Sequence, residues 1–208
     1  MEKLIAYKRM PLWNKQTMPE AVQQKHNTKV GTWGKITVLK GALKFIELTE
    51  DGDVLAEHLF EAGADNPMAQ PQAWHRVEAA TDDVEWYLEF YCKPEDYFPK
   101  KYQTNPVNSE VLEAMQTVKP GRALDLGCGQ GRNSLFLAQN GFDVTAVDQN
   151  ELSLEILQSI VEQEDLDIPV GLYDINLASI GQAYDFIVST VVLMFLQADR
   201  IPAIIQNM

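Results

Sequence analysis

The chain has 208 residues with ordinary apolar and charged fractions, and its formal net charge of −13 argues against a nucleic-acid partner, since phosphate binding needs clustered Lys and Arg. No apolar run approaches the roughly 20 residues that span a bilayer, the first residues open no signal peptide, and two cysteines make a disulfide framework implausible. We therefore expect a cytoplasmic protein with a small-molecule substrate, no membrane partner, and a homodimer as an open alternative.

Residues 1–92 predict a β-rich domain. The strand-like runs 43–48 and 54–60 are joined through Asp51-Gly52, which is a hairpin signal. Residues 84–91 alternate apolar and polar side chains, as a half-buried strand does. Short strands separated by glycine and proline predict a small β-barrel or sandwich.

The three histidines, His26, His58 and His75, all fall in this first domain. His26 and His75 could approach each other in a barrel and hold a metal, but no two histidines have a close ligand spacing. Structural or surface roles are therefore favoured, and we predict no metal site. The segment 63–77 resembles the second half of a cupin signature and 26–41 a degraded first half, so the resemblance implies a cupin-like domain.

A boundary is predicted at 93–104, where Pro94 and Pro99 interrupt the strand pattern, and this segment is interpreted as a linker or lid. A helix is expected to begin near Asn105-Pro106, an acceptable N-cap and first-turn pair. The remainder, 105–208, alternates strands with helices, which predicts a parallel, doubly wound, Rossmann-like α/β domain. The chain as a whole is thus expected to be α+β with two domains. Its predicted parallel strands cover 123–126, 142–148, 169–174 and 183–190.

The most informative motif is 123–134, an apolar strand that runs into Gly127, Gly129 and Gly131 and then into a helix. Glycine is needed where the backbone passes close to a ligand, and the following helix supplies free N–H groups. The third glycine comes one residue earlier than in a dinucleotide fingerprint. Asp125 at the strand end would repel a pyrophosphate and suits a ligand with an ammonium group, such as S-adenosylmethionine.

A second strand, 142–148, ends in Asp148, seventeen residues after Gly131. An acid at this place in a Rossmann-like unit accepts hydrogen bonds from ribose hydroxyls. The order strand, glycine turn, helix, strand, acid resembles the first motifs of class I S-adenosylmethionine-dependent methyltransferases. A nicotinamide-dependent oxidoreductase that uses the same turn stays an alternative, although the early third glycine speaks against it.

Five segments make the resemblance narrower and point to the TehB family of tellurite-resistance methyltransferases. They are Asp96-Tyr97-Phe98, Lys101-Tyr102, 108–114, Gly131-Arg132-Asn133-Ser134 and 189–196. The β-rich front of the chain resembles the extra N-terminal domain in the longer form of that family. The resemblance implies methylation of small, soft oxyanion-type substrates of tellurium and selenium, and tellurite resistance. The chain departs from the family pattern at Asn108, where a histidine is expected.

The resemblance also implies a set of residues that bind the cofactor, S-adenosylmethionine. This set comprises Asp125 and Gly127 for its methionine end, Arg132 for its carboxylate, Asp148 for its ribose, Asp174 and Ile175 for its adenine, and Gly129 and Gly131 for close backbone approach. Thr190, at the end of the fourth strand, is a further member of the set.

The expected substrate side of the cleft involves four residues. Ser189 and Thr190, at the carboxyl end of the fourth strand, are expected to line the cleft beside the donor methyl group. Tyr97 and Tyr102 are candidates for a lid. No residue is assigned as a catalytic acid or base, because methyl transfer to a soft nucleophile needs mainly positioning and exclusion of water.

By resemblance, the methyltransferase sheet has seven strands, whereas the sequence predicts four before Met208. The last strands are therefore expected to be absent. This expectation supports an alternative function, in which the chain is a non-catalytic remnant that binds a cofactor or ligand.

Overall fold

The computed structural model describes residues 3–175, 180–196 and 198–206. The chain divides into two compact units, Met1–Tyr97 and Phe98–Met208. The division falls inside the segment 93–104 that the sequence predicts as a linker.

Antiparallel strands form the first unit, as the alternating patterns predict. In one sheet a central strand pairs with three others, and in the second sheet a central strand lies between two neighbours. The first sheet contains β1 (Ile5–Arg9), β2 (Trp13–Asn14), β3 (Trp33–Lys40) and the central β7 (Glu85–Cys92); the second contains the central β4 (Ala42–Leu48), β5 (Val54–Glu61) and β6 (His75–Ala79). A short helix, α1 (Glu20–Gln23), follows β2.

Both sheets contribute side chains to one apolar core. Ile36 and Trp86 come from the first sheet, and Phe45 and Phe60 from the second. Trp86 meets Trp13 edge to face with ring centroids 5.0 Å apart, a favoured arrangement of aromatic rings. The predicted hairpin between β4 and β5 is present. The closed, cupin-like form of the barrel stays a prediction.

The structure brings His26 and His75 together, with ring centroids 4.3 Å apart. His26 Nδ1 lies 2.9 Å from the Gln24 carbonyl oxygen, and His75 Nδ1 lies 2.8 Å from the Ala73 carbonyl oxygen, so both rings are within hydrogen-bond distance of the backbone. Burial lowers the pKa of His75 to about 4. Across the described parts of the chain, no three His, Cys, Asp or Glu side chains are grouped so that they could hold a metal.

Parallel strands and helices alternate in the second unit. The strands are β8 (Arg122–Leu126), β9 (Asp143–Asp148), β10 (Val170–Leu172) and β11 (Phe186–Val188). They form one parallel sheet in the order β10-β9-β8-β11, so the prediction of a parallel sheet is confirmed. The helices of the second half of the chain are α2 (Tyr97–Tyr102), α3 (Ser109–Ala114), α4 (Arg132–Gln139), α5 (Glu151–Gln163) and α6 (Ile201–Gln206).

Three predicted elements have different boundaries in the structure. The helix expected near Asn105-Pro106 begins at Ser109, because the side chain of Asn108 accepts a hydrogen bond from the Glu110 N–H and is the N-cap. The third and fourth strands of the sheet are also shorter than predicted, with three residues each.

The sheet of the second unit is buried on the faces that its helices cover. In β8 only Arg122 is exposed, and the following four residues are buried. Leu135 and Leu137 of α4 and Leu157 of α5 are also fully buried. This packing fixes the direction in which β8 enters the glycine turn. Within the described residues, no helix is long and apolar enough to cross a bilayer.

The environment of His75 makes the stability of the protein depend on pH. The pKa of His75 is about 4 in the fold, against 6.5 ordinarily. The neutral ring therefore contributes fully to the free energy of unfolding above pH 6.5, and this contribution is lost as the pH falls towards 4. We expect wild type to lose about 3 kcal/mol more unfolding free energy between pH 7.5 and pH 4 than His75→Asn, which retains an N–H donor near the Ala73 carbonyl. Urea unfolding at both pH values measures this difference; equal losses would contradict the assignment.

Candidate functional site

A cavity of about 740 Å³ lies at the carboxyl ends of the parallel strands in the second unit. The turn after β8, the start of α4, the end of β9 and the segment after β11 all contribute to its wall. The strand order changes direction between β8 and β11, and open α/β sheets bind their ligands at this kind of switch point. The volume lies within the range of roughly 300–1,000 Å³ that is usual for small-molecule sites.

The glycine turn that follows β8 is held by its own backbone. The N–H groups of Gly127 and Cys128 both donate to the Val147 carbonyl, at 2.8 and 3.0 Å. Gly127 and Gly131 have φ values of 76° and 82°, which side chains rarely allow. A Cβ at Gly127 would lie 2.2 Å from the Val192 side chain, and one at Gly131 would lie 2.3 Å from Leu157. The turn therefore requires glycine at both positions.

Asp148 connects this turn to the next strand. Its Oδ2 accepts a hydrogen bond from the Gly129 N–H at 2.7 Å, and its Oδ1 accepts one from the Asn150 N–H at 2.8 Å. Asn150 in turn caps α5, where its side chain accepts from the Ser153 N–H. A carboxylate has about four acceptor positions, so Asp148 keeps positions for a ligand at the cavity wall.

Asp125 lies in the interior, not on the cavity wall, and is 1% exposed. Its Oδ2 accepts a hydrogen bond from the Ser134 hydroxyl at 2.6 Å. Burial raises the pKa of Asp125 to about 6, and nearby Asp148 adds to this effect, while Ser134 and Arg132 oppose it. Burial also raises the pKa of the Cys128 thiol far above its usual value. The thiol at the centre of the turn is therefore protonated and is not an activated nucleophile.

The other predicted cofactor residues fall into two groups. Arg132, Ile175 and Thr190 line the cavity together with Gly127, Gly129 and Asp148. Gly131 and Asp174 do not line it. Gly131 instead occupies the N-cap position of α4, where its contribution is to the shape of the turn.

The predicted substrate and lid residues are more scattered. The Tyr102 hydroxyl donates to Glu164, which also binds the Lys101 ammonium at 2.7 Å, and Tyr102 does not line the cavity. Its pKa is raised to about 12 by burial and by Glu164. The Ser189 hydroxyl is buried and has no hydrogen-bond partner among the described residues. Tyr97 is the last residue of the first unit, and its predicted role stays a prediction.

Sequence reasoning assigned no role to Asn133, which lines the cavity and is 2% exposed. Its Nδ2 donates to Thr190 Oγ1 at 3.0 Å, and its Oδ1 accepts from the Asn108 N–H at 3.1 Å. The next residue after Thr190, Val191, has a φ of 64°, a strained value for a β-branched residue. No local sequence pattern shows that these residues come together, because they are far apart along the chain.

Two family models match the chain. Residues 90–208 match "Tellurite resistance protein TehB" and residues 8–88 match "TehB-like domain". The chain is 58% identical over 205 residues to a "Probable S-adenosyl-L-methionine-dependent methyltransferase TehB" from Haemophilus influenzae. This match covers 99% of this chain and 72% of that protein.

Solved structures and shorter relatives agree with these matches. The crystal structure of TehB from Haemophilus influenzae superposes with a TM-score of 0.96 at 58% identity, over 99% of this chain and 72% of that one. Protein YeaR of Escherichia coli K12 is 32% identical over 90 residues, which are 41% of this chain and 75% of that protein.

Substitutions in the turn test its steric requirement. Gly131→Ala and Gly129→Ala both place a Cβ at a positive φ, which costs about 1–2 kcal/mol. Only Gly131→Ala also meets a neighbour, since nothing lies within 4 Å of the Cβ position at Gly129. We expect Gly131→Ala to lower the free energy of unfolding by about 1–3 kcal/mol more than the control, as measured by urea unfolding. Equal losses would show that the contact with Leu157 does not constrain the turn.

Proposed function

The chain belongs to the TehB family and is an S-adenosylmethionine-dependent methyltransferase, and from this premise we propose that it methylates small, soft oxyanions such as tellurite and selenite. The observation that carries the proposal is the cavity at the switch point, which is lined both by a glycine turn held by Asp148 and by Thr190. Tellurite resistance is the biological role that we propose for this reaction.

The residues at the turn fit the nucleoside part of S-adenosylmethionine. The Cβ position of Gly129 is open, so a ligand can approach the backbone closely there. Asp148 keeps acceptor positions on the cavity wall for two ribose hydroxyls. We assign the adenine to the region of Ile175, which lines the same cavity, together with Asp174 immediately before it.

Other residues at the turn are assigned to the methionine part. Asp125 supplies a negative charge beneath the turn above pH 6, and this charge favours a ligand with ammonium and sulfonium groups. Arg132, on the first turn of α4, lines the cavity and is assigned to the ligand carboxylate. Gly127 and Gly131 keep the turn in the shape that brings these groups together.

The proposed chemistry is an in-line displacement. The bound cofactor supplies an electrophilic methyl group on a sulfonium. The lone pair on tellurium(IV) or selenium(IV) forms the new bond to carbon as the carbon–sulfur bond breaks, and the released pair stays on sulfur. The central atom becomes tellurium(VI) or selenium(VI), and the attacking atom carries no proton that must be removed; a proton on an oxygen of the oxyanion passes to water from the more acidic product. The chain therefore needs no general base, and its contribution is orientation and exclusion of water.

The first unit and the assembly of the protein complete the proposal. We propose that the two antiparallel sheets form a cupin-like barrel that serves packing, dimerisation or an accessory ligand. A homodimer stays a prediction. A cytoplasmic location is also proposed, since Cys92 and Cys128 are buried and do not form a disulfide, as is usual where thiols stay reduced.

The pKa of Asp125 makes cofactor binding depend on pH. Asp125 titrates near pH 6, and a cationic ligand favours its ionised form. We therefore expect the affinity for S-adenosylmethionine to be highest at pH 7.5 and to fall roughly tenfold by pH 5. Isothermal titration with S-adenosylmethionine measures this dependence. In Asp125→Asn the affinity at pH 7.5 should be lower and the dependence on pH should disappear. An unchanged pH profile in the variant would contradict the assignment.

The reaction itself is tested with a pair of related oxyanions. Selenite carries a lone pair on selenium, whereas selenate has similar oxygens and no such lone pair. We expect release of S-adenosylhomocysteine with selenite and with tellurite, and none above background with selenate. Release with neither selenite nor tellurite, while S-adenosylmethionine binds, would refute the proposed substrate class. Equal release with selenate would refute attack by the central atom.

A further inference from the structure

We propose that Asn133 is a positioning residue, which directs the hydroxyl proton of Thr190 into the cavity so that Thr190 donates a hydrogen bond to the oxyanion substrate. This inference rests on the proposed function and deepens it, because it names the group that recognises the charge of the substrate. Asn133 acts through Thr190 and does not itself contact the reacting atoms.

The orientation of the Asn133 amide is fixed by its two partners. The Asn108 N–H is a backbone donor, 3.1 Å from Oδ1, so the atom that it meets must be the acceptor end of the amide. The other end is therefore the amino group, and Nδ2 lies 3.0 Å from Thr190 Oγ1. Asn133 is 2% exposed, which leaves little room for water to replace either bond.

The direction of this hydrogen bond decides what the Thr190 hydroxyl can do. A hydroxyl has one proton to donate and two lone pairs. One lone pair accepts the Nδ2–H of Asn133, and an amide nitrogen accepts no proton in return. The hydroxyl proton must therefore point away from Asn133. Since Thr190 lines the cavity, its proton is available to an acceptor that enters there.

An anion is the ligand that gains most from this arrangement. The protein carries a net charge of −13, and Asp125 and Asp148 lie close to the turn, so the general field repels an oxyanion. A hydroxyl whose proton is already directed at the substrate gives a charge-assisted hydrogen bond without a cost of reorientation. The strained backbone of Val191, with a φ of 64°, follows Thr190 directly and is consistent with a segment held in place for binding.

The key variant is Asn133→Asp. A carboxylate of the same size still accepts from the Asn108 N–H, but its second oxygen is an acceptor and takes the proton of Thr190. The hydroxyl is thereby turned away from the cavity. The variant also adds a negative charge that repels the oxyanion. Its effect on selenite affinity is therefore measured in two backgrounds, one with Thr190 and one with Thr190→Val. The repulsion is common to both backgrounds, whereas the effect on the hydroxyl requires Thr190.

The measurement is titration of selenite into the full chain loaded with S-adenosylhomocysteine, which reports oxyanion binding without turnover. We expect Thr190→Val to weaken selenite binding about tenfold, as is typical for loss of a hydrogen bond to a charged group, and Thr190→Ser to bind as wild type does. Asn133→Asp should weaken selenite binding by a factor that is about ten times larger with Thr190 present than in the Thr190→Val background. In turnover, Asn133→Asp should raise KM for selenite more than it lowers kcat.

The outcomes separate this inference from the proposed function. Equal costs of Asn133→Asp in the two backgrounds, or unchanged selenite binding by Thr190→Val, would overturn the inference. Absence of selenite binding by the loaded wild type would overturn it as well. Selenite binding without release of S-adenosylhomocysteine in turnover would refute the proposed reaction alone. If Asn133→Asp does not load S-adenosylhomocysteine, Asn133→Ala takes its place in the same comparison, and its cost should likewise disappear in the Thr190→Val background.

Discussion

The hydrogen bonds of the Asp148 carboxylate hold the candidate site together. One oxygen accepts from the Gly129 N–H in the turn after β8, and the other accepts from the Asn150 N–H at the start of α5. Two strands, a turn and a helix N-terminus are thus fixed relative to one another by a single side chain. The backbone bonds from Gly127 and Cys128 to Val147 support the same junction. Without this junction, the cavity wall that we assign to the nucleoside has no defined shape.

Asp125 shows that the site is not optimised for stability alone. A carboxyl group that is 1% exposed and accepts a hydrogen bond from the Ser134 hydroxyl costs free energy in its charged form. Its raised pKa expresses this cost. A neutral residue of similar size would pack in the same place with a smaller penalty. The retained acid is explained by its charge beneath a cavity that we assign to a cationic cofactor.

Local patterns predicted most of the second unit and part of its site. The apolar strand 123–126, the three glycines and Asp148 follow one another within a short stretch, and each has a local physical reason. Periodicity does not fix where a helix begins, because capping decides it: Asn108 takes the N-cap position that the sequence pattern assigns to Asn105. In the first unit the hairpin at Asp51-Gly52 was predicted, whereas β6 was not.

Contacts between distant segments could not be predicted from the sequence. Asn133 and Thr190 are 57 positions apart, and Tyr102 and Glu164 are 62 positions apart. The hydroxyl of Tyr102 bonds Glu164 rather than lining the cavity, although its place in the sequence made it a lid candidate. The approach of His26 to His75 likewise follows from strand pairing, which joins them through an isolated bridge. Such pairings depend on sheet order and register, which local periodicity does not fix.

The central claim is that S-adenosylmethionine binds at the glycine turn of the second unit. Hydrogen exchange of the full chain with and without S-adenosylmethionine tests it most directly. We expect slower exchange in peptides that cover 126–132 and 148–153, since these segments contribute to the cavity wall. Peptides from residues 3–92 should be unchanged. Protection confined to those first residues, or saturating binding with no change at 126–132, would contradict the account.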